Sequence, residues 1–224
     1  MNKPTTRALN VAALALAACT VLGSARAADI SLPPDPGARD ARTLVSFACS
    51  KCHGASANGI SISPLFPILA GQNQVYIATE LKLLRQHGRS DPHARAFMWG
   101  ISHALTDEQI DGLAAYFSSQ PAVSGQPSRN PELAARGKEI YENGVAQPKV
   151  VKCAQCHGEN SGGTNNVPRL AGQHPGYLKL QLHYYHDKLR ENILMQRNVA
   201  NITDDQIDAV VEYISTLSGA PESE

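Results

Sequence analysis

Four cysteines and two histidines carry the most specific chemistry in this sequence. Cys49-Ser-Lys-Cys52-His53 and Cys153-Ala-Gln-Cys156-His157 both spell C-x-x-C-H. Two thiols at this spacing can add across the two vinyl groups of a haem, and the histidine that follows then lies under the iron as an axial ligand. Two other chemistries use the same thiols. A redox dithiol of the thioredoxin kind needs a βαβ setting, and no strand-like alternation surrounds either motif. A zinc site could recruit all four cysteines, but it leaves the histidine after each pair without a role. We therefore expect Cys49, Cys52, Cys153 and Cys156 to attach two haem c groups covalently, with His53 and His157 on the irons.

The opposite face of each iron needs a ligand too. The chain has three methionines, and Met1 is the initiator. Met98 stands eight residues before Thr106, and Met195 eight residues before Thr203. A single methionine is ordinarily a flexible core filler. Two at matched positions, with no third to choose from, point to thioether ligation. Such ligation raises the reduction potential and fills both axial sites, which suits an electron carrier and disfavours binding of oxygen or peroxide. The other histidines, His87, His93, His103, His174, His183 and His186, do not recur at matched places and read as surface or helix-face residues. Metal-bound histidines usually give their second N–H to a carbonyl or carboxylate. Pro67 and Pro168 stand where a carbonyl could serve; they read equally well as ordinary loop prolines.

These residues belong to a longer repeat. C-S-K-C-H-G, P-I-L-A-G-Q at 67–72, Tyr76, Met98, T-D-E-Q-I-D at 106–111 and Tyr116 are followed in the same order by C-A-Q-C-H-G, P-R-L-A-G-Q at 168–173, Tyr177, Met195, T-D-D-Q-I-D at 203–208 and Tyr213. Repetition on this scale organises a fold. Between the copies, Ser118 to Pro131 is rich in Pro, Ser and Gly and reads as an interdomain linker. We expect a leader at 1–27 and domains at 28–124 and 125–224. Domains of roughly 95 residues are small for a core of side chains alone, and a buried haem would add apolar mass.

The elements that must position the motifs are helices. Thr106 with Gln109, and Thr203 with Gln206, are capping-box patterns. Ile110, Leu113, Ala114 and Phe117 then form an apolar stripe, as do Ile207, Val210, Val211 and Ile214. Segments 38–50, 73–87, 131–143 and 174–190 also read as helical. The expected fold is all-α. Tyr76, Tyr116, Tyr177 and Tyr213 read as core aromatics, with places near the haem or at a domain interface as the alternative.

The N-terminus has the order of a secretory signal: Lys3 and Arg7, an apolar run from Ala8 to Ala18, and an Ala25-Arg26-Ala27 cleavage site. Leu16-Ala17-Ala18-Cys19 also fits a lipoprotein box, which would leave Cys19 lipidated and the protein tethered; the better-formed cleavage site favours removal. No apolar run is long enough to span a bilayer as a helix. Cleavage after Ala27 removes three basic residues, leaving 17 basic and 20 acidic, net −3. That balance argues against nucleic acid as a partner.

Taken together, the two C-x-x-C-H motifs, the two P-x-L-A-G-Q segments, and Met98 and Met195 ahead of T-D-[ED]-Q-I-D resemble the dihaem cytochrome c4 family, built from two class I cytochrome c domains in tandem. The resemblance covers nearly all of the chain beyond the leader. It implies a one-haem helical fold repeated about a pseudo-twofold axis, with the haems near the domain interface. It also implies a periplasmic carrier taking electrons from a quinol-oxidising complex toward a terminal oxidase. The halves depart from one another in two places: Gln72 to Met98 is four residues longer than Gln173 to Met195, and Gly144 to Lys152 lengthens the approach to the second motif. No base, nucleophile or open metal site suggests catalysis by this chain alone. A haem-bearing subunit of a dehydrogenase, such as a flavocytochrome or alcohol dehydrogenase complex, is the second reading. A dihaem peroxidase would need a displaceable axial ligand, against which Met98 and Met195 speak.

Overall fold

A computed structural model describes residues 41–55, 63–164 and 166–218. The expected leader and Cys19 lie outside the described residues. Among those described, regular structure is helical, and β pairing amounts to two isolated bridges, Val145 with Val150 and Thr164 with Val167. No helix among them is long and apolar enough to cross a membrane.

In the first half a continuous helical run leads into the cysteine motif. It comprises α1 (Ala41–Leu44), a π turn π1 (Val45–Cys49) and α2 (Ser50–His53). Then come α3 (Gln74–Arg85), a second π turn π2 (Ala94–Met98), α4 (Trp99–Ser102) and α5 (Asp107–Ser118). The second half has α6 (Pro131–Asn143), α7 (Ala154–His157), α8 (Pro175–His186), α9 (Ile193–Asn198) and α10 (Asp204–Thr216).

Both capping boxes form. Thr106 accepts from the Gln109 N–H and Thr203 from that of Gln206, and each glutamine side chain returns to the cap's own N–H. The two predicted stripes are fully buried. The stripe of α5 packs on α1 and α3, and that of α10 on α6 and α8. Removing these apolar faces from water supplies the main drive for packing the bundle.

The helix crossings use small residues in opposite order. A Cβ added to Gly137 of α6 would lie 1.9 Å from the Ala209 carbonyl oxygen on α10. In the first half the glycine is on the other helix: Gly112 of α5 faces Ala41 of α1, where an added Cβ would sit at an ordinary 3.6 Å.

The helices expected at 73–87 and 174–190 stop earlier, and for the same reason. His87 (φ 61°) and Lys188 (φ 59°) adopt the left-handed conformation. The next N–H groups, of Gly88 and Leu189, donate back to Leu83 and Tyr184 at 2.8 Å. This satisfies orphan carbonyls at the helix end and reverses the chain just before Arg89 and Arg190.

The segment between the halves, expected as an interdomain linker, is packed against both of them as a strap. The Gly125 N–H donates to the Leu217 carbonyl (3.1 Å). Arg169 donates to the carbonyls of Val123 (2.8 Å) and Ser218 (2.7 Å). The strap runs so close to both L-A-G-Q turns that a Cβ on Gly71 would lie 2.5 Å from that of Ala122, and one on Gly172 would lie 2.4 Å from the Val123 oxygen. Both glycines also have positive φ, +69° and +66°. Close approach and left-handed backbone together explain why glycine recurs in the repeat.

Candidate haem sites and the joint between them

Cys49 closes π1 and is half-buried, Cys52 lies one turn later in α2, and His53 ends that helix, buried. Cys153 is the N-cap of the short α7, which carries Cys156, exposed, and ends on buried His157. None of the four cysteines is in a disulfide. Burial pushes the Cys49 and Cys153 thiols up to about 11. A redox dithiol activates its nucleophile by lowering that value, so these sites lack its hallmark.

The two histidines are held alike. His53 Nδ1 lies 2.8 Å from the Pro67 carbonyl oxygen, and His157 Nδ1 lies 3.1 Å from that of Pro168. A carbonyl can only accept, so Nδ1 carries the proton and Nε2 keeps its lone pair for a metal. Burial lowers both imidazoles' pKa, and the carbonyl contact offsets only part of that. Neutral imidazole is the ligating form.

The methionines approach by different routes. Met98 ends π2 and is half-buried. Its neighbour Phe97 packs edge-on to Phe66 (centroids 5.4 Å), which packs edge-on to His53 (6.3 Å). Met195 lies in α9 and packs against the second half's core beside Cys153, Ala154 and Leu170. Large apolar side chains flanking both methionines, Phe97, Ile193 and Leu194, are exposed. Thiols one turn apart, an imidazole with Nε2 left over, a thioether and nonpolar flanks form a donor set that fits a covalently attached haem.

Sequence reasoning missed what joins the halves. Gln72 and Gln173, the last residues of the two L-A-G-Q segments, reach across in a reciprocal pair of clamps. Gln173 accepts from the Ile68 N–H and donates to the Ile68 carbonyl, both at 2.9 Å. Gln72 accepts from the Arg169 N–H (2.7 Å) and donates to the Arg169 carbonyl (2.9 Å). A second cluster obeys the same approximate twofold. Arg89 and Arg190 both bond Glu80 (2.7 and 2.8 Å) and both bond Gln181 (3.2 and 2.6 Å). Tyr76 joins it by accepting from Arg190 at 3.0 Å, so its place is the interface. Burial would raise the Glu80 carboxyl, but Arg190 and Arg89 outweigh burial and hold it below the ordinary range. His93, one of the spare histidines, contacts the Tyr184 hydroxyl across the same joint at 2.6 Å.

A signal for this cluster was available. Arg89 follows Gln72 by the same 17 positions as Arg190 follows Gln173. Two residues on, Asp91 accepts from the Ala94 N–H (3.1 Å), and Asn192 caps α9 by accepting from Leu194 and Met195 (3.1 Å each). The four extra residues of the first half therefore all lie between the cap and the methionine.

Known proteins agree with this construction. The family Cytochrome c matches twice, at residues 38–121 and 134–218. Cytochrome c4 of Thiocapsa roseopersicina is 34% identical over 190 residues, 82% of this chain and 93% of that one. The structure of Acidithiobacillus ferrooxidans cytochrome c4 superposes with a TM-score of 0.71 at 37% identity, covering 75% of this chain and 98% of that one. A protein of Thiomonas intermedia named thiosulfate dehydrogenase electron acceptor is 28% identical over 78% of this chain and 80% of its own length. The chain thus belongs to the cytochrome c family and, within it, to the dihaem cytochromes c4. It carries two covalent haem c groups in tandem all-α domains and works as an electron carrier.

Proposed function

We propose that the chain is a periplasmic carrier in which His53 and Met98 hold one haem iron and His157 and Met195 the other, exchanging single electrons with a quinol-oxidising complex and a terminal oxidase. Residues 1–27 are the export signal in this reading, and the haem units occupy 28–124 and 125–224. The observation that carries it is the matched pair of Nδ1-to-carbonyl contacts, His53 to Pro67 and His157 to Pro168. Each commits one ring nitrogen and orients the other, as second-sphere partners of metal-bound histidines do. Cys49 with Cys52, and Cys153 with Cys156, make the thioethers. The bound iron supplies a one-electron couple. Two protein ligands per iron leave no position for a substrate, so the chain itself is not an enzyme.

Redox titration of the dihaem protein tests the ligands. Met98→His and Met195→His should each lower the potential of one haem and halve the near-infrared band of methionine-ligated ferric haem. Titrations that match the parent in both variants would place the sixth ligands elsewhere.

A second reading rests on the resemblance to a thiosulfate dehydrogenase electron acceptor. In that reading the immediate donor is a dehydrogenase rather than a quinol-oxidising complex. Native purification with a stoichiometric dehydrogenase subunit would favour it.

A further inference from the structure

We infer that Gln72 and Gln173 tune the haems crosswise: each sets the hydrogen bond of the axial histidine in the opposite domain. The inference rests on His53 and His157 being the iron ligands proposed above.

The geometry turns on one peptide group in each half. The Pro67–Ile68 peptide offers its carbonyl to His53 Nδ1 (2.8 Å) and its N–H to Gln173 Oε1 (2.9 Å). The Pro168–Arg169 peptide offers its carbonyl to His157 Nδ1 (3.1 Å) and its N–H to Gln72 Oε1 (2.7 Å). Each glutamine also donates to the carbonyl one residue further along, in the next peptide, which holds its amide in place against the N–H. Ile68, Arg169 and both glutamines are buried.

Hydrogen bonds on the two ends of one amide reinforce each other. Drawing on the N–H increases negative charge on the carbonyl oxygen and strengthens it as an acceptor, more so away from water. A stronger acceptor on Nδ1 makes the imidazole more basic at Nε2. A more basic ligand favours ferric over ferrous iron and lowers the potential. Gln173, in the second domain, therefore holds the potential of the first haem down, and Gln72 does the same for the second. These are positioning residues that act through the histidines.

The test uses the full dihaem protein with Gln173→Met and Gln72→Met, which keep volume and remove both hydrogen bonds. Haem potentials are assigned by NMR of the haem methyl resonances during titration. Gln173→Met should raise the reduction equilibrium constant of the first haem about three- to tenfold, where tenfold is 59 mV for a one-electron couple, and leave the second within twofold. Gln72→Met should do the reverse. Gln173→Asn and Gln72→Asn shorten the reach without removing polarity and should give the same crosswise pattern, which keeps the test open if a Met variant fails to fold. Equal shifts of both haems, or a shift of only the haem in the glutamine's own domain, would overturn the inference. So would unmoved potentials with the methionine–iron band intact. Those outcomes leave the ligand assignment standing, because that assignment fails only if the Met98→His and Met195→His titrations do not move.

Discussion

The two halves solve one positioning problem with different lengths of chain. In the first, an unbroken helical run from Ala41 delivers Cys49, and Met98 closes a π turn. In the second, α6 stops at Gly144, a short loop pinned by the Val145–Val150 bridge intervenes, and Met195 sits on an α-helix capped by Asn192. The frame does not change. Glutamine, arginine and cap keep their spacing, and the histidine-to-proline contacts match within 0.3 Å. Both π turns among the described residues lie in the longer-looped half and end on a residue assigned to the haem. A π turn fits an extra residue into a helix without breaking it, and such turns gather at functional sites. The lesson is that the halves differ in length between cap and methionine but keep the same length between glutamine and arginine, where they meet.

That contrast can be broken at the joint. Glu80 is the carboxylate that both interface arginines share, and its counterpart in the other half is the neutral Gln181. Glu80→Gln should cost about 3 kcal/mol, because buried Arg190 loses the carboxylate it pairs with, while Arg89 keeps Asp91 at 2.7 Å; denaturant unfolding of the haem-loaded protein measures it. The acid limb follows from the same residue. Its folded carboxyl lies below the usual glutamate value of about 4.3, so its stabilisation is complete above that value and is lost as pH falls through the lower folded one. Unfolding curves from pH 6 to 3 should fall less steeply in Glu80→Gln than in the parent.

A smaller effect separates the helix crossings. Gly137→Ala would drive a methyl into the Ala209 carbonyl and should destabilise by about 2 kcal/mol through overpacking. Gly112→Ala meets only an ordinary contact and should be neutral or stabilising by up to about 1 kcal/mol, from helix propensity. Equal losses at both glycines would mean that the crossings are more alike than their geometry indicates. The smallest effect belongs to the caps. Asn192→Ala should cost about 1 kcal/mol and weaken the near-infrared band of the second haem alone, since that cap holds the Met195 N–H.

What was legible in the sequence was local. The capping boxes at Thr106 and Thr203 and the buried stripes of α5 and α10 depend on residues within a turn or two of one another, and they form where the capping pattern and the periodicity put them. α6 matches its expected span of 131–143. The joint was not legible, because the contacts of Gln72, Gln173, Arg89 and Arg190 across it bridge roughly 90 to 115 positions. A single sequence gives such pairs no periodicity. The repeat did mark the glutamines as equivalent, but equivalence does not reveal that each reaches into the other's half. Composition marked Ser118 to Pro131 as the connection between the halves but did not reveal that Ala122 and the backbone of Val123 to Gly125 lie directly against Gly71 and Gly172.

The reversed order of small residues at the two crossings bears on how the chain finds its own fold. Tandem domains of similar sequence can exchange helices while folding, and such misassembly is a characteristic failure of repeat proteins. Here α1 presents alanine to a glycine on α5, while α6 presents glycine to an alanine on α10. Were α1 to dock on α10 at the same distance, the Ala41 methyl would run into the Ala209 carbonyl, where α6 leaves no room for a Cβ. Were α6 to dock on α5, two glycines would face each other across a gap. The close crossing of α6 on α10 thus admits only glycine at 137, whereas the looser crossing of α1 on α5 has room for a methyl on either helix, so the second half is the less forgiving of a wrong partner.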